Sequence, residues 1–298
     1  MRHSAPRVLI ATDGSPSART ALELVRALAW PAGTTLRLVH VVSPLPALVQ
    51  LEAARWSFGH LADPLRMSLD ETAEHLRRAD ITVETDVLSD GGPADRIVRD
   101  AHEFRADLIV TGSRGHGTIA TMLLGSVAAA VVDHAPCPVL VARRPACARI
   151  VVAEDGSPGA SEARRIVATW QAFQGLQTRV VSVAHVTSPL LSGIAPTMLE
   201  EARRAHEEML IEARSAYGRL AGESAEQLRI AGRLAQSEVR TGDVASEILA
   251  SAREMNADLI AMGSRGQGAM ARLLLGSVAR NVLEHATCSV LIARARKA

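Results

Sequence analysis

The feature that most constrains this chain is that it contains its own pattern twice. Residues 106–143 read ADLIVTGSRGHGTIATMLLGSVAAAVVDHAPCPVLVAR, and residues 257–294 read ADLIAMGSRGQGAMARLLLGSVARNVLEHATCSVLIAR; 24 of 38 positions are identical with no gap. The match continues upstream. Val8 to Pro16 aligns with Ile150 to Pro158, His40-Val41 with His185-Val186, and Gly91 to Ile97 with Gly242 to Ile248. An offset of 151 residues (257 minus 106) is far too long for a solenoid, whose repeats span about 20–50 residues. The repeating unit is a whole domain. The chain therefore divides into residues 1–145 and 146–298, joined near Arg144-Pro145-Ala146-Cys147.

Within each copy, short apolar runs alternate with segments of helical spacing. In the first copy, strands are expected at residues 7–11, 35–42, 83–88, 108–111 and 139–142. Helices are expected at 17–30, 64–79, 93–104 and 126–134. Apolar strands alternating with helices imply a parallel sheet covered on both faces. The fold class is thus α/β: two repeated doubly wound domains, each a five-stranded parallel sheet of flavodoxin-like or Rossmann-like type. Ligands in such sheets bind beyond the carboxyl ends of the strands, where strand order reverses. In the second copy, the Met and Leu pattern of residues 197–220 reads as the core-facing stripe of a helix. Residues 45–63 have no counterpart of equal length there and read as a lid or a packing loop.

Chemistry is therefore sought after strands one, two and four. Strand four is followed by Gly112-Ser113-Arg114-Gly115 and then, after nine residues, Gly125-Ser126; the second copy has Gly263-Ser264-Arg265-Gly266 and Gly276-Ser277 at the same spacing. Gly117 and Gly268 add one more small residue to each loop. Such turns let backbone approach a ligand and turn their amides into an anion-binding concavity. Gly125-Ser126-Val127 and Gly276-Ser277-Val278 each open a helix whose first amides and dipole favour a phosphate.

This Gly-x-x-Gly, nine residues, Gly-Ser pattern resembles the ATP-binding motif of the universal stress protein family, and the resemblance covers nearly the whole chain, twice. It implies ATP as the ligand, alone or with Mg²⁺, and no metal site built by the protein itself. It also implies contacts to adenosine from Asp13 and Val41 in the first copy, and from Asp155 and Val186 in the second. Ribose and phosphates would be held by Gly112, Gly115, Gly125, Ser126 and Val127, and by Gly263, Gly266, Gly276, Ser277 and Val278. Family domains commonly pair through their last strands, which here means residues 139–142 against 290–293 within one chain. Further association into a homodimer and an unidentified regulatory protein partner are also implied.

Several residues carry a structural reading beside the functional one. Asp13 and Asp155 suit an N-cap or Asx turn as well as a ligand contact. Arg114 and Arg265 read equally as phosphate contacts or solvated side chains. His134 and His285 close a helix, where a cation suits the dipole. Cys137 and Cys288 read as buried thiols. The copies differ at Thr121 against Arg272, where Arg would neutralise a terminal phosphate, and at Thr12 against Glu154, which adds an anion. Two sites of unequal affinity are expected.

Composition narrows the functional classes. A net charge of +1 argues against nucleic-acid binding. The apolar runs fall short of a membrane span, no secretory pattern opens the chain, and three cysteines without a CxxC suit a reducing cytoplasm. The chain's single lysine is Lys297, so the GxxxxGK[ST] phosphate loop is absent. His116 has Gln267 as its counterpart, which disfavours a general base. These points favour a nucleotide-dependent regulator or sensor in a stress response. The alternative is a slow ATPase or other ATP-hydrolysing enzyme using the same sites. A dehydrogenase is disfavoured, since GSRGHG is not GxGxxG and follows strand four. A purely structural protein with vestigial sites conflicts with two intact motifs.

Overall fold

A computed structural model describes residues 5–42, 59–115, 124–186, 196–266 and 275–294. In the first half, strands β1 (Arg7–Ala11), β2 (Thr35–Val41), β3 (Thr82–Leu88), β4 (Leu108–Gly112) and β5 (Val139–Ala142) alternate with helices α1 (Pro16–Ala27), α2 (Gly59–Glu74), α3 (Pro93–Glu103) and α4 (Ser126–His134). The second half repeats the order with β6 (Arg149–Ala153), β7 (Gln177–Ala184), β8 (Leu234–Thr241), β9 (Leu259–Gly263) and β10 (Ser289–Ala293). Its helices are α5 (Pro158–Thr169), α6 (Pro196–Ile230), α7 (Val244–Glu254) and α8 (Ser277–His285).

The ten strands form one sheet in the order β3-β2-β1-β4-β5-β10-β9-β6-β7-β8. Pairing is parallel within each half, as the alternation of strand and helix predicts. The halves meet where the sequence reading expects, through their last strands. β5 and β10 pair antiparallel with Leu140 opposite Leu291, Val141 opposite Val290 and Val139 opposite Ile292. This pairing removes both strands as free edges and makes a local two-fold. The halves therefore point in opposite directions, and their strand C-termini emerge at opposite edges of the sheet. In each half the order reverses beside the first strand, between β1 and β4 and between β6 and β9.

Two apolar layers run the full width of the sheet. Along β1, Val8 and Ile10 belong to the layer that α1, α2, α5 and α6 cover, while Leu9 and Ala11 belong to the layer that α3, α4, α7 and α8 cover. With both faces covered, a strand needs no polar alternation, which explains the unbroken apolar runs. Two arginines lock the halves together. Arg143, just after β5, donates through Nη2 to the carbonyl of Leu283 at 2.6 Å. Arg294, just after β10, donates to the carbonyls of Val132 and Asp133. Each guanidinium thus crosses to the C-terminal turn of the other half's helix, where the dipole favours a cation.

Helix ends differ from the sequence expectation by more than one residue in three places. α1 stops at Ala27 rather than 30, because Leu28 turns to extended backbone. α2 begins at Gly59, so Pro64 lies inside it rather than at its start, and it gives way after Glu74 to turns closed by Leu76 N to Ala73 O at 2.9 Å and Arg77 N to Glu74 O at 3.2 Å. The reading of residues 197–220 as a core-facing stripe is overturned. Met209 is 57% exposed and Ile211 69% exposed, and among the described residues the buried positions of α6, Ala221, Ser224, Ala225 and Leu228, all lie later. The reason is length. At 1.5 Å per residue the 35-residue helix spans ~52 Å, about twice the ~26 Å of an eight-residue strand. Only its C-terminal part lies over the sheet. Most of residues 45–63, the segment read as a lid or packing loop, falls outside the described residues.

Candidate functional site

The mouth of each half is built by two loops that hold one another. After β1, the Asp13 carboxylate accepts from the Ser15 amide at 2.9 Å through Oδ1, an Asx turn across Gly14, whose φ of 77° suits glycine. After β6, Asp155 accepts from the Ser157 amide at 2.9 Å across Gly156 with φ 79°. The helix cap is not the aspartate. Ser15 Oγ accepts from the Ala18 amide at 3.2 Å and Ser157 Oγ from the Ala160 amide at 3.1 Å. The same hydroxyls donate across to the glycine loops, Ser15 to the Arg114 carbonyl at 3.3 Å and Ser157 to the Arg265 carbonyl at 3.1 Å. One serine in each half therefore caps the first helix and ties the first loop to the fourth.

The glycines divide the work. A Cβ on Gly112 would lie 2.7 Å from the Ser17 carbonyl carbon and 2.8 Å from the Ala18 nitrogen. A Cβ on Gly263 would lie 2.6 Å from the Gly159 carbonyl carbon. The first glycine of each motif thus lets the end of the central strand touch the start of the first helix. The second glycine faces the carboxylate: a Cβ would come within 2.6 Å of Asp13 Oδ2 at Gly115 and 2.7 Å of Asp155 Oδ2 at Gly266. Gly125 and Gly276 donate to the carbonyls of buried Ser113 and Ser264 at 2.7 and 2.8 Å, closing each loop at its far end. Both are helix N-caps without a side-chain cap. The first-turn amides and the exposed Ser126 and Ser277 therefore sit at the mouth.

In the first half these elements enclose a pocket of about 430 Å³, within the range of small-molecule sites. Asp13, Val41, Gly112, Arg114, Gly115, Gly125, Ser126 and Val127 all line it. Sequence reasoning missed Val39, His40 and Ile97, which supply the wall opposite the glycine loop. A signal was present in the run of β-branched residues ending strand two. Ser113, read as a ligand contact, is buried and outside that lining, and its counterpart Ser264 is buried too; in the second half Asp155, Gly263, Arg265, Gly266, Gly276, Ser277 and Val278 are the counterparts of the lining residues. Val186 is not. The first loop bonds Thr12 N to Val39 O at 2.9 Å and its counterpart bonds Glu154 N to Val181 O at 2.9 Å, so the register sets Val183 in Val41's place. The His-Val match of the sequence runs three residues late, beyond the end of β7. Arg265, unlike Arg114, lines a separate cavity at the seam between the halves. Gly117, Gly268 and Arg272, together with His116 and Thr121, lie outside the described residues.

Glu154 turns away from the mouth. Its side chain is fully buried; Oε1 accepts from the Gly156 amide at 2.9 Å, and Oε2 accepts from Ser224 Oγ at 3.1 Å and pairs with Arg164. Arg164 also donates to Ser224 at 2.8 Å. The anion that distinguishes the second copy is thus neutralised beneath the loop and anchors it to α6. Elsewhere the structural readings apply: His134 and His285 bond the carbonyls of Ala130 and Asn281, each at 2.9 Å. Burial pushes the Cys137 thiol up to about 12 and that of Cys288 up to about 11. Among the described residues, no three His, Cys, Asp or Glu side chains gather as metal ligands.

A doubly wound α/β sheet, duplicated, with a glycine loop and an uncapped helix N-terminus at each strand reversal, defines a class of tandem flavodoxin-like α/β domains. The universal stress protein family model matches residues 5–143 and again 147–294. The chain belongs to the universal stress protein family, with two such domains in tandem. A universal stress protein of Mycolicibacterium smegmatis is 28% identical, the match covering 97% of each chain. One from Thermus aquaticus is 34% identical over 46% of this chain and 97% of its own. The crystal structure of a universal stress protein from Archaeoglobus fulgidus superposes with a TM-score of 0.67, covering 99% of this chain and 100% of that one at 20% identity. Among the described residues, no helix is long and apolar enough to cross a membrane.

Proposed function

We propose that this chain is an ATP-binding universal stress protein that works as a nucleotide-dependent regulator or sensor, with one ATP site in each half. The observation that carries this reading is the duplicated cradle: an aspartate held against a glycine loop, facing a helix N-terminus capped by glycine alone. Backbone amides at a helix start favour phosphate, and the apolar wall of Val39, Val41 and Ile97 suits a base. Asp13 and Asp155 suit the hydroxyls of a ribose. Where Mg²⁺ accompanies the nucleotide, its ligands would come chiefly from the phosphates and water.

Signalling rather than fast hydrolysis fits the residues present. Phosphoryl transfer needs cations at the phosphates and an oriented nucleophile, and the one lysine of the chain is Lys297. The reading includes a cytoplasmic protein that passes its state to a protein partner. A homodimer of two chains would use surfaces other than β5 and β10, which already pair with each other. The test is calorimetric titration with ATP, together with identification of nucleotide released on denaturation. Two sites per chain are expected, with steady-state turnover below about one per second. Absence of any adenine nucleotide binding would overturn the proposal.

A further inference from the structure

A cavity of about 830 Å³ opens away from the two glycine-loop mouths and touches the second motif through Arg265 alone. It lies on the seam between the halves, where antiparallel packing sets the strand N-termini of the first half beside the strand C-termini of the second. Its apolar floor includes Trp30, Ile166 and Trp170, with Pro136 and Pro138 from the turn before β5. The two indoles meet edge to face at 6.3 Å, and Trp170 stacks on Phe173 at 6.5 Å. They are held firmly: Trp30 Nε1 donates to the Val25 carbonyl at 2.8 Å, and Arg233 donates to the Trp170 carbonyl at 3.0 Å. The floor is thus preorganised rather than a loose surface.

The rim is cationic. Arg165, Arg265 and Arg294 line it, against the carboxylates of Glu162 and Asp107. Both carboxylates are already engaged, Glu162 by Arg165 through two hydrogen bonds of 2.6 Å and Asp107 by the Arg7 amide at 3.0 Å. Arg294 bonds main-chain carbonyls, and its Nε is buried with no hydrogen-bond partner among the described residues. Duplication by itself does not produce this cavity. The related groove at the opposite edge holds about 400 Å³ and is lined by Arg144, Arg149, Asp258 and Thr287, with no aromatic residue among its described lining.

We propose that the seam cavity is a ligand site separate from the two glycine-loop mouths, sharing only Arg265 with the second motif, and that it takes an amphipathic anion: a flat aromatic body carrying a carboxylate, sulfonate or phosphate. The indole floor matches the flat body, and the excess guanidinium on the rim matches the charge. The volume lies in the range of small-molecule sites. This inference does not depend on nucleotide binding elsewhere in the chain.

The probe is anilinonaphthalenesulfonate, compared with its uncharged parent N-phenylnaphthylamine, each followed by direct excitation in titrations with and without ATP. Saturation at one sulfonate per chain is expected, with binding at least about tenfold tighter than the uncharged ring. Two plugs at exposed lining positions, Thr169→Trp and Gln171→Trp, are expected to weaken binding by at least about tenfold. Both variants are checked for native circular dichroism. Unsaturable binding, equal affinity for the uncharged ring, unchanged affinity in both plugged variants, or displacement by ATP alongside unchanged plugged variants would overturn the proposal.

Discussion

Replacing Gly112 and Gly115 by alanine, one at a time, separates packing from ligand contact within a single motif. At Gly112 the added methyl meets the Ser17–Ala18 peptide group, with Ser17 C at 2.7 Å, Ala18 N at 2.8 Å and Ser17 O at 2.8 Å. None of these atoms can rotate away, so α1 must shift from β4. Overpacking of this kind costs about 1–3 kcal/mol, less about 0.4–1 kcal/mol returned by restricting the unfolded chain. A net loss of about 1–2 kcal/mol would lower Tm by roughly 2–8 °C in a chain of this size class. At Gly115 the methyl meets one atom, Asp13 Oδ2 at 2.6 Å, the end of a side chain. The carboxylate can swing aside at the cost of its bond from the Ser15 amide, about 1.5 kcal/mol for a half-exposed charged acceptor, which an entropy gain of about 0.4–1 kcal/mol partly offsets. Stability should therefore fall by no more than about 1 kcal/mol, while the displaced Asp13 should weaken ATP at the first site by about tenfold. Urea unfolding and calorimetric ATP titration read the two effects separately. Equal destabilisation by both variants, or unchanged ATP affinity in Gly115→Ala, would refute the division of labour.

Other consequences follow from the same geometry. Glu154→Ala leaves Arg164 and Ser224 without their buried acceptor and should cost about 3 kcal/mol; Thr12→Ala, at the matching exposed turn, should cost less than about 0.5 kcal/mol by urea unfolding. Cys137 and Cys288 should resist a thiol reagent at pH 8 until the chain unfolds, because burial holds both protonated. Their folded values lie above the ordinary 9.0, so their contribution to stability is complete below about 9 and is lost as pH rises toward about 12; a pH series of urea midpoints reads this. Arg143→Ala removes a charged donor from the Leu283 carbonyl and should cost about 1.5–3 kcal/mol, read as a lower urea midpoint. Val183→Asp should weaken ATP at the second site more than Val186→Asp, since register places Val183 at Val41's level.

The repeat made most of the architecture legible. Apolar runs flanked by helical spacing place every strand of the first half within two residues, because a sheet covered on both faces leaves a contiguous hydrophobic signature. The pairing of β5 with β10 was expected from the family resemblance, and it gives each edge strand a partner. What stayed hidden depended on contacts remote in sequence. Nothing in Glu154 itself says that Arg164 and Ser224 wait beneath it. Gly112 and Gly115 look alike in the sequence, yet one meets a helix backbone and the other a carboxylate. The His-Val pair misled because two residues repeated by composition, three positions out of step with the hydrogen-bonded ladder. The exposure of Met209 and Ile211 follows from helix length against sheet height, which periodicity alone does not report.

The differences between the halves fall in a pattern. Atoms that face each mouth are duplicated nearly unchanged: the Asx turn, the serine bridge to the loop carbonyl, and the glycine under the carboxylate. What differs is how each mouth is anchored. In the first half the loop after β1 is held to α1, by Arg19 Nη1 donating to the Gly14 carbonyl at 2.8 Å, with a lighter contact of the Gly14 amide with Thr12 Oγ1 at 3.3 Å. In the second, a buried Glu154–Arg164–Ser224 cluster fastens the same loop to α6. That helix runs far past the sheet. Movement of the loop at the second mouth is therefore mechanically linked to a long exposed lever, and movement at the first is not. If the two sites both hold nucleotide, the second is the one whose occupancy is positioned to reach a partner. Ser224→Ala should then loosen α6 in hydrogen exchange when the second site is filled, and leave exchange near Asp13 unchanged.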